Sequence, residues 1–219
     1  MSLLHPRQLV IFEGDSMTRR NMLPSTDTWP LLRMNNWDHS WADLVEEWIF
    51  AQRPDLQIKC RQVAIGGSAI PDLENRYETQ VKPHQPAWIL FTLGTNDFSR
   101  GMSVDEFRAR LTRYIETAQR DCGTRFFYAG GFLPMPSLDA ANVEKVTQAN
   151  DHYQAAREVV RASGGIVPEI GPIMKAKAEL HYAASTYHSF YSDGTHFNSL
   201  GNHVLAGIVL EQLGIFRSI

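Results

Sequence analysis

Cysteine is scarce in this sequence: there are two residues, Cys60 and Cys122, in 219. They lie too far apart for a metal-binding pair and are too few for a disulfide framework, so both read as partly buried free thiols. No apolar run reaches the roughly 20 residues needed to span a bilayer. A strong charge of either sign is also missing. The formal net charge is −3, with Lys and Arg scattered among Asp and Glu. Without a basic stripe to neutralise phosphates, nucleic acid is excluded as an expected partner. Low-complexity tracts, linkers and internal repeats are absent as well. Met1 to Val10 lacks the layout of a signal peptide, which points to the cytoplasm; a leader removed from further upstream would make the protein a secreted one.

What remains is ordinary globular composition, 43% hydrophobic and 21% charged, enough for a single α/β domain over residues 1–219 with a full core. Four near-continuous apolar runs end at glycine. They are Leu9–Phe12 before Gly14, a run closed by Val63–Ile65 before Gly66, Ala87–Leu93 before Gly94, and Arg125–Ala129 before Gly130. Such runs predict strands buried on both faces, with a fifth strand around Gly165 to Pro168. Helical spacing marks the stretches between them. Ser103-Val104-Asp105-Glu106 reads as a capping box ahead of Phe107, Leu111, Tyr114 and Ile115, with Gly123 as the stop. Ser40 can cap a helix carrying Trp41, Leu44, Val45 and Ile49. Val143, Val146, Tyr153, Ala156 and Val160 mark another, and Leu200 to Leu213 the last. Alternating β and α elements predict a three-layer α/β/α sandwich around a flavodoxin-like parallel sheet of about five strands.

The most polar glycine-marked loops each follow one of these runs: Gly14-Asp15-Ser16, Gly66-Gly67-Ser68 and Gly94-Thr95-Asn96-Asp97. They converge at the carboxyl edge of the sheet, where open parallel sheets bind ligands. Cleaving an ester at serine needs an activated hydroxyl, a base and donors for the developing oxyanion. The Gly-x-Ser-x-Gly elbow is absent, and Gly66-Gly67-Ser68 is only a decoy for it.

Gly14-Asp15-Ser16, Gly67 in Ile65-Gly66-Gly67-Ser68, Gly94-Thr95-Asn96-Asp97 and Asp193-Gly194-Thr195-His196 resemble, in order and spacing, the conserved blocks of the SGNH hydrolases, the GDSL-type esterase and lipase family. The resemblance runs from residue 14 to about residue 201. It implies that Ser16 is the nucleophile, His196 its general base, and Asp193 the carboxylate that orients the imidazole. It further implies an oxyanion hole made of the Ser16 and Gly67 N–H groups and the Asn96 amide. Met17 departs from the leucine in the family's name, and Gln62 stands where many members have asparagine; the choice of Gly67 over Gly66 is made by alignment. Asp15 and Asp97 read as braces of their loops.

No metal or organic cofactor is expected. His188, Asp193, His196 and His203 suggest a rival metal site, but their spacings match no ligand pattern and leave the serine loops unused. The long segment from Thr18 to Ser40 carries Trp29 and Trp37, and Phe132 follows the fourth run. Their rings are candidate substrate contacts that can stack on a sugar, hold an acyl chain, or simply anchor the loop. The expected activity is hydrolysis of small-molecule or carbohydrate acyl esters through an acyl-serine, with short acyl groups, acetyl on carbohydrate among them, favoured. Lipase, lysophospholipase, thioesterase and acyltransferase chemistry fit the same residues. A non-catalytic binding module would require a decayed site, and this one is intact.

Overall fold

The computed structural model describes residues 2–19, 39–131, 147–184, 190 and 196–216. Its sheet is built from β1 (Leu9–Gly14), β2 (Lys59–Gln62), β3 (Trp88–Thr92) and β4 (Arg125–Tyr128). All pairings are parallel and the order is β2-β1-β3-β4. The fold is an α/β sandwich with the flavodoxin-like strand order, whose reversal between β1 and β3 opens a crevice at their carboxyl ends.

The helices are α1 (Trp41–Gln52), α2 (Ile70–Arg76), α3 (Thr95–Ser99), α4 (Val104–Cys122), α5 (Asn150–Ala162), α6 (Ile170–Ala184) and α7 (Ser199–Gln212). Successive side chains of β1 point to opposite faces. Val10 and Phe12 therefore join Trp41 and Val45 of α1, Met174 of α6 and Val209 of α7 in one core. Ile11 faces the other way, with Leu73 of α2, Leu111 of α4 and Val160 of α5. Phe12 meets Trp41 edge-on at 5.7 Å between centroids. No described helix is long and apolar enough to cross a membrane.

Several expectations shift. The second strand is Lys59–Gln62 and stops short of Val63–Ile65, the stretch expected to close its run; its residues alternate between exposed and half-buried. It is the edge strand, so one side of it lacks a neighbour and the doubly buried pattern does not apply. Val63 and Ile65 still donate backbone hydrogen bonds to Phe12 and Gly14, carrying the chain along β1 to the sheet's end. The expected fifth strand shrinks to a single parallel bridge, Ile166 with Phe127. Its neighbour Gly165 is packed so closely that a Cβ would stand 2.8 Å from the Phe126 carbonyl oxygen.

The caps are redistributed as well. Ser40 and Asp43 form a complete capping box on α1. At α4, Ser103 accepts from the Glu106 N–H, while the Glu106 carboxylate takes the Arg110 guanidinium instead of reaching back. Helix α5 begins at Asn150, and Val143 and Val146 lie outside the described residues. Helices α2, α3 and α6 were not legible: α2 and α3 are too short for a period, and α6 carries little amphipathic pattern.

Gly14, where β1 turns into the Asp15-Ser16 loop, has φ +115°, and a Cβ there would lie 2.1 Å from the Thr92 carbonyl oxygen. No L-side chain fits without moving β3. We therefore expect Gly14→Ala to lose about 1–3 kcal/mol of stability or more in denaturant unfolding; a variant as stable as the parent would remove this constraint from the description of the sheet edge.

Candidate active site

The crevice between β1 and β3 holds Ser16 directly after β1. A tight turn presents it: the Asp15 carbonyl accepts from the Thr18 and Arg19 N–H groups. The Asp15 carboxylate, buried behind the serine, accepts from the Met17 N–H at 2.9 Å and from the Thr92 hydroxyl at 2.8 Å. Thr18 Oγ1 lies 2.6 Å from Thr92 Oγ1, closing a chain of side chains from the Ser16 loop to β3. Gln62, at the position where asparagine was expected, donates to the Thr18 carbonyl at 3.3 Å.

His196 arrives from the other end of the chain. It stands two residues before Asn198, whose side chain caps α7 by accepting from the Gly201 N–H. Asn202, on the first turns of α7, accepts from the Trp41 N–H at 3.0 Å and so docks this helix on α1. That docking carries the imidazole over the crevice, with His196 Nε2 2.8 Å from Ser16 Oγ. The two residues are 180 positions apart in sequence.

The second loop stands beside them. A Cβ on Gly66 would be 3.7 Å from Ser16 Cβ and 3.3 Å from a guanidinium nitrogen of Arg19. Arg19, lying across this glycine, is a neighbour of the site that no motif marks. Gly67 adopts φ +80°, the left-handed region glycine favours. Neither the Ser16 nor the Gly67 N–H has a partner among the described residues. Asn96 reaches the same loop by donating from Nδ2 to the Ser68 carbonyl at 3.1 Å, which fixes its amide plane and leaves the second amide hydrogen for another acceptor.

Asp97 braces this region: Oδ1 accepts from Ile70 N at the start of α2, and Oδ2 accepts from Gly94 N. Burial pushes its carboxyl up to about 6, helped by the like charge of Asp15. Asp15 is pushed up to about 6 by burial, against the opposing pull of its hydrogen bonds and of His196.

Below the crevice runs a buried network. The Arg76 guanidinium donates to Glu13 Oε1 at 3.1 Å, to Ser68 Oγ at 2.9 Å and to the Gly14 carbonyl at 3.1 Å. Tyr114 donates to the second oxygen of Glu13. Arg76 and Glu13 are 6% and 0% exposed, so the pair is held almost entirely out of water. Ser68, the decoy serine, is therefore a buried acceptor. This network was invisible in the sequence because its four side chains come from four separate segments.

Of the remaining expected residues, Asp193, Trp29, Trp37, Phe132 and His188 lie outside the described residues. His203 donates locally, from Nδ1 to the Ser199 carbonyl at 2.8 Å on its own helix. His152 is a buried structural residue whose Nε2 contacts the Met102 carbonyl at 2.9 Å.

The profile of the GDSL-like Lipase/Acylhydrolase family matches residues 12–204, and the chain belongs to that family. It is a carboxylic-ester hydrolase of the serine type. No curated protein sequence matches it. Among solved structures it is similar to a GDSL-like lipase candidate from Parabacteroides merdae, at 18% identity and TM-score 0.78 over 97% of this chain and 98% of that one. It is also similar to the acetylxylan esterase of Geobacillus stearothermophilus, at 17% identity and TM-score 0.75 over 99% of each chain. An α/β hydrolase from the metagenome of Lake Arreo gives 17% identity and TM-score 0.76 over 98% of each. Variants of the Geobacillus enzyme that replace a serine and an aspartate by alanine are called catalytic mutants.

Two outcomes follow from the buried groups. Arg76→Met leaves Glu13 without its cation and should lower the unfolding free energy by about 3–5 kcal/mol; adding Glu13→Gln should recover part of that loss, and additive penalties in denaturant unfolding would argue against a coupled pair. For Asp15, the folded-state value near 6 lies above the ordinary 3.8. Its contribution to stability is therefore fully present below pH 4 and is lost as pH rises through 6. Asn retains an acceptor for Met17 N–H and Thr92 O–H but does not ionise. The stability of Asp15→Asn relative to the parent should accordingly rise by roughly 2–3 kcal/mol between pH 4 and pH 7, and a flat difference would contradict the shift.

Proposed function

We propose that the protein removes short acyl groups, acetyl foremost, from hydroxyl groups of carbohydrate, with Ser16 as nucleophile and His196 as general base. The observation that carries this reading is the 2.8 Å contact between His196 Nε2 and Ser16 Oγ, within proton-transfer reach. Ser16 Oγ attacks the acyl carbon while its proton passes to Nε2. The carbonyl π electrons move onto oxygen, and that oxyanion is met by the unpartnered N–H groups of Ser16 and Gly67 and by the Asn96 amide. Collapse breaks the bond to the alcohol oxygen, which takes the proton from His196 and leaves. Water then attacks the acyl-serine with His196 again as base, releasing the acid and restoring Ser16.

Asp193 is assigned to orient the imidazole. It precedes His196 by three residues in the family's fourth block, and the catalytic aspartate of the Geobacillus esterase supports the same role here. The carbohydrate side of the proposal draws on the likeness to acetylxylan and acetyl-xylooligosaccharide esterases. Trp29, Trp37 and Phe132 stay candidates for substrate contact.

The test is hydrolysis of a ladder of p-nitrophenyl esters from acetate to long chains, together with acetylated xylo-oligosaccharides. Turnover should be greatest on acetate, fall by about 10⁴-fold or more in Ser16→Ala and His196→Ala, and be indifferent to a chelator. Asn96→Ala should cost about 10²–10³ in kcat. Activity that survives Ser16→Ala would sink the serine mechanism, and a preference for long chains would replace the acetyl reading with a lipolytic one.

A further inference from the structure

A groove of about 360 Å³ lies beside the second loop, lined by Gly66, Gly67, Asp72, Asn75, Gln80 and Arg100 among others. Its size falls within the roughly 300–1,000 Å³ usual for ligand pockets. Gly66 belongs to both places: it lines the groove, and a Cβ on it would touch Ser16. The groove thus borders the loop that neighbours Ser16, while Ser16 and His196 themselves stand outside its lining.

The chemistry of its walls narrows the occupant. Asn75 and Gln80 make no side-chain hydrogen bond among the described residues, so each amide presents both a donor and an acceptor. Thr79 adds a hydroxyl on the same stretch of helix. A π-helical turn, Tyr77–Val81, carries Thr79 and Gln80, and such turns are frequent at functional sites. Arg100 is already neutralised: it pairs with Asp72 at 2.8 Å and donates to the Gly67 carbonyl at 2.6 Å. Its charge therefore gives a phosphate or carboxylate ligand little to bind. An acyl chain would find only Ile65, 49% exposed at the rim, among otherwise polar walls. Uncharged groups that both donate and accept, with one apolar patch, match the hydroxyls and the C–H face of a pyranose ring.

We propose that this groove binds the saccharide chain that carries the scissile ester, placing the alcohol portion of the substrate along the Asn75–Gln80 face. The proposal rests on the carbohydrate reading above and extends it to named residues. Arg100, by holding the Gly67 carbonyl, ties the groove wall to the second loop, so that a sugar bound there lies against the same loop that faces Ser16.

The experiment compares the parent with Asn75→Ala/Gln80→Ala, two replacements on the surface that leave the buried network intact. Substrates are an acetylated xylo-oligosaccharide and p-nitrophenyl acetate, with xylotetraose lacking acetyl groups titrated in parallel by calorimetry. We expect the ratio of kcat/KM on oligosaccharide to that on p-nitrophenyl acetate to fall about ten-fold, through KM, as for the loss of two neutral hydrogen bonds. Xylotetraose binding should weaken by a similar factor at unchanged Tm. If the parent cleaves the acetylated oligosaccharide and the double variant keeps the parent's ratio, the groove assignment is overturned while the carbohydrate reading stands. If the parent cleaves p-nitrophenyl acetate but no acetylated saccharide, the carbohydrate reading falls and the groove assignment with it.

Discussion

A cation buried beneath the catalytic crevice, Arg76, organises the site. Taking a guanidinium out of water is costly unless its hydrogen bonds are satisfied and its charge is countered. Glu13 supplies the countercharge, and Ser68 and the Gly14 carbonyl take the remaining donors. Each acceptor lies on a segment the chemistry needs. Glu13 and Gly14 end the strand that delivers Ser16, and Ser68 follows the Gly66-Gly67 turn. The same desolvation that makes the pair expensive to break also makes the relative position of the two loops hard to change. Tyr114, from the middle of α4, completes the shell around Glu13.

The other constraint is the division of labour among carboxylates. Asp15 and Asp97 are both buried next to the crevice, and both hold backbone N–H groups in place. Burial raises both pKa values to about 6, against the pull of the backbone N–H groups that each carboxylate holds.

The legible part of this protein is the part written in contiguous residues. Val10-Ile11-Phe12 and Trp88–Phe91 are apolar throughout, because strands in the middle of a parallel sheet meet helices on both faces. Ser40 and Ser103 announced their helices because a cap is a local hydrogen bond. Misreadings arose where a neighbour at long range decided. Val63–Ile65 has strand composition, yet the paired residues lie just before it, since the edge position of β2 lets polar Lys59 and Arg61 face water. The Glu106 half of the expected capping box was lost to a competing guanidinium, Arg110.

By itself the sequence determined the class: four short blocks in family order, each at a predicted strand end or site loop, mark the chain as a GDSL-type ester hydrolase and single out a serine, a histidine, an asparagine and a glycine as candidates for its chemistry. Those residues are legible because reacting groups must be of a particular type. Only the tertiary structure decided how they meet. The 2.8 Å contact across 180 positions depends on α7 docking on α1 through Asn202 and Trp41, and the join between nucleophile and second loop depends on Arg76. The groove beside Gly66 likewise exists only because α2 and its π-helical extension pack next to Arg100. Buried contacts of this kind are set by the three-dimensional arrangement of elements distant in sequence, and no local pattern of residues encodes a distance between them.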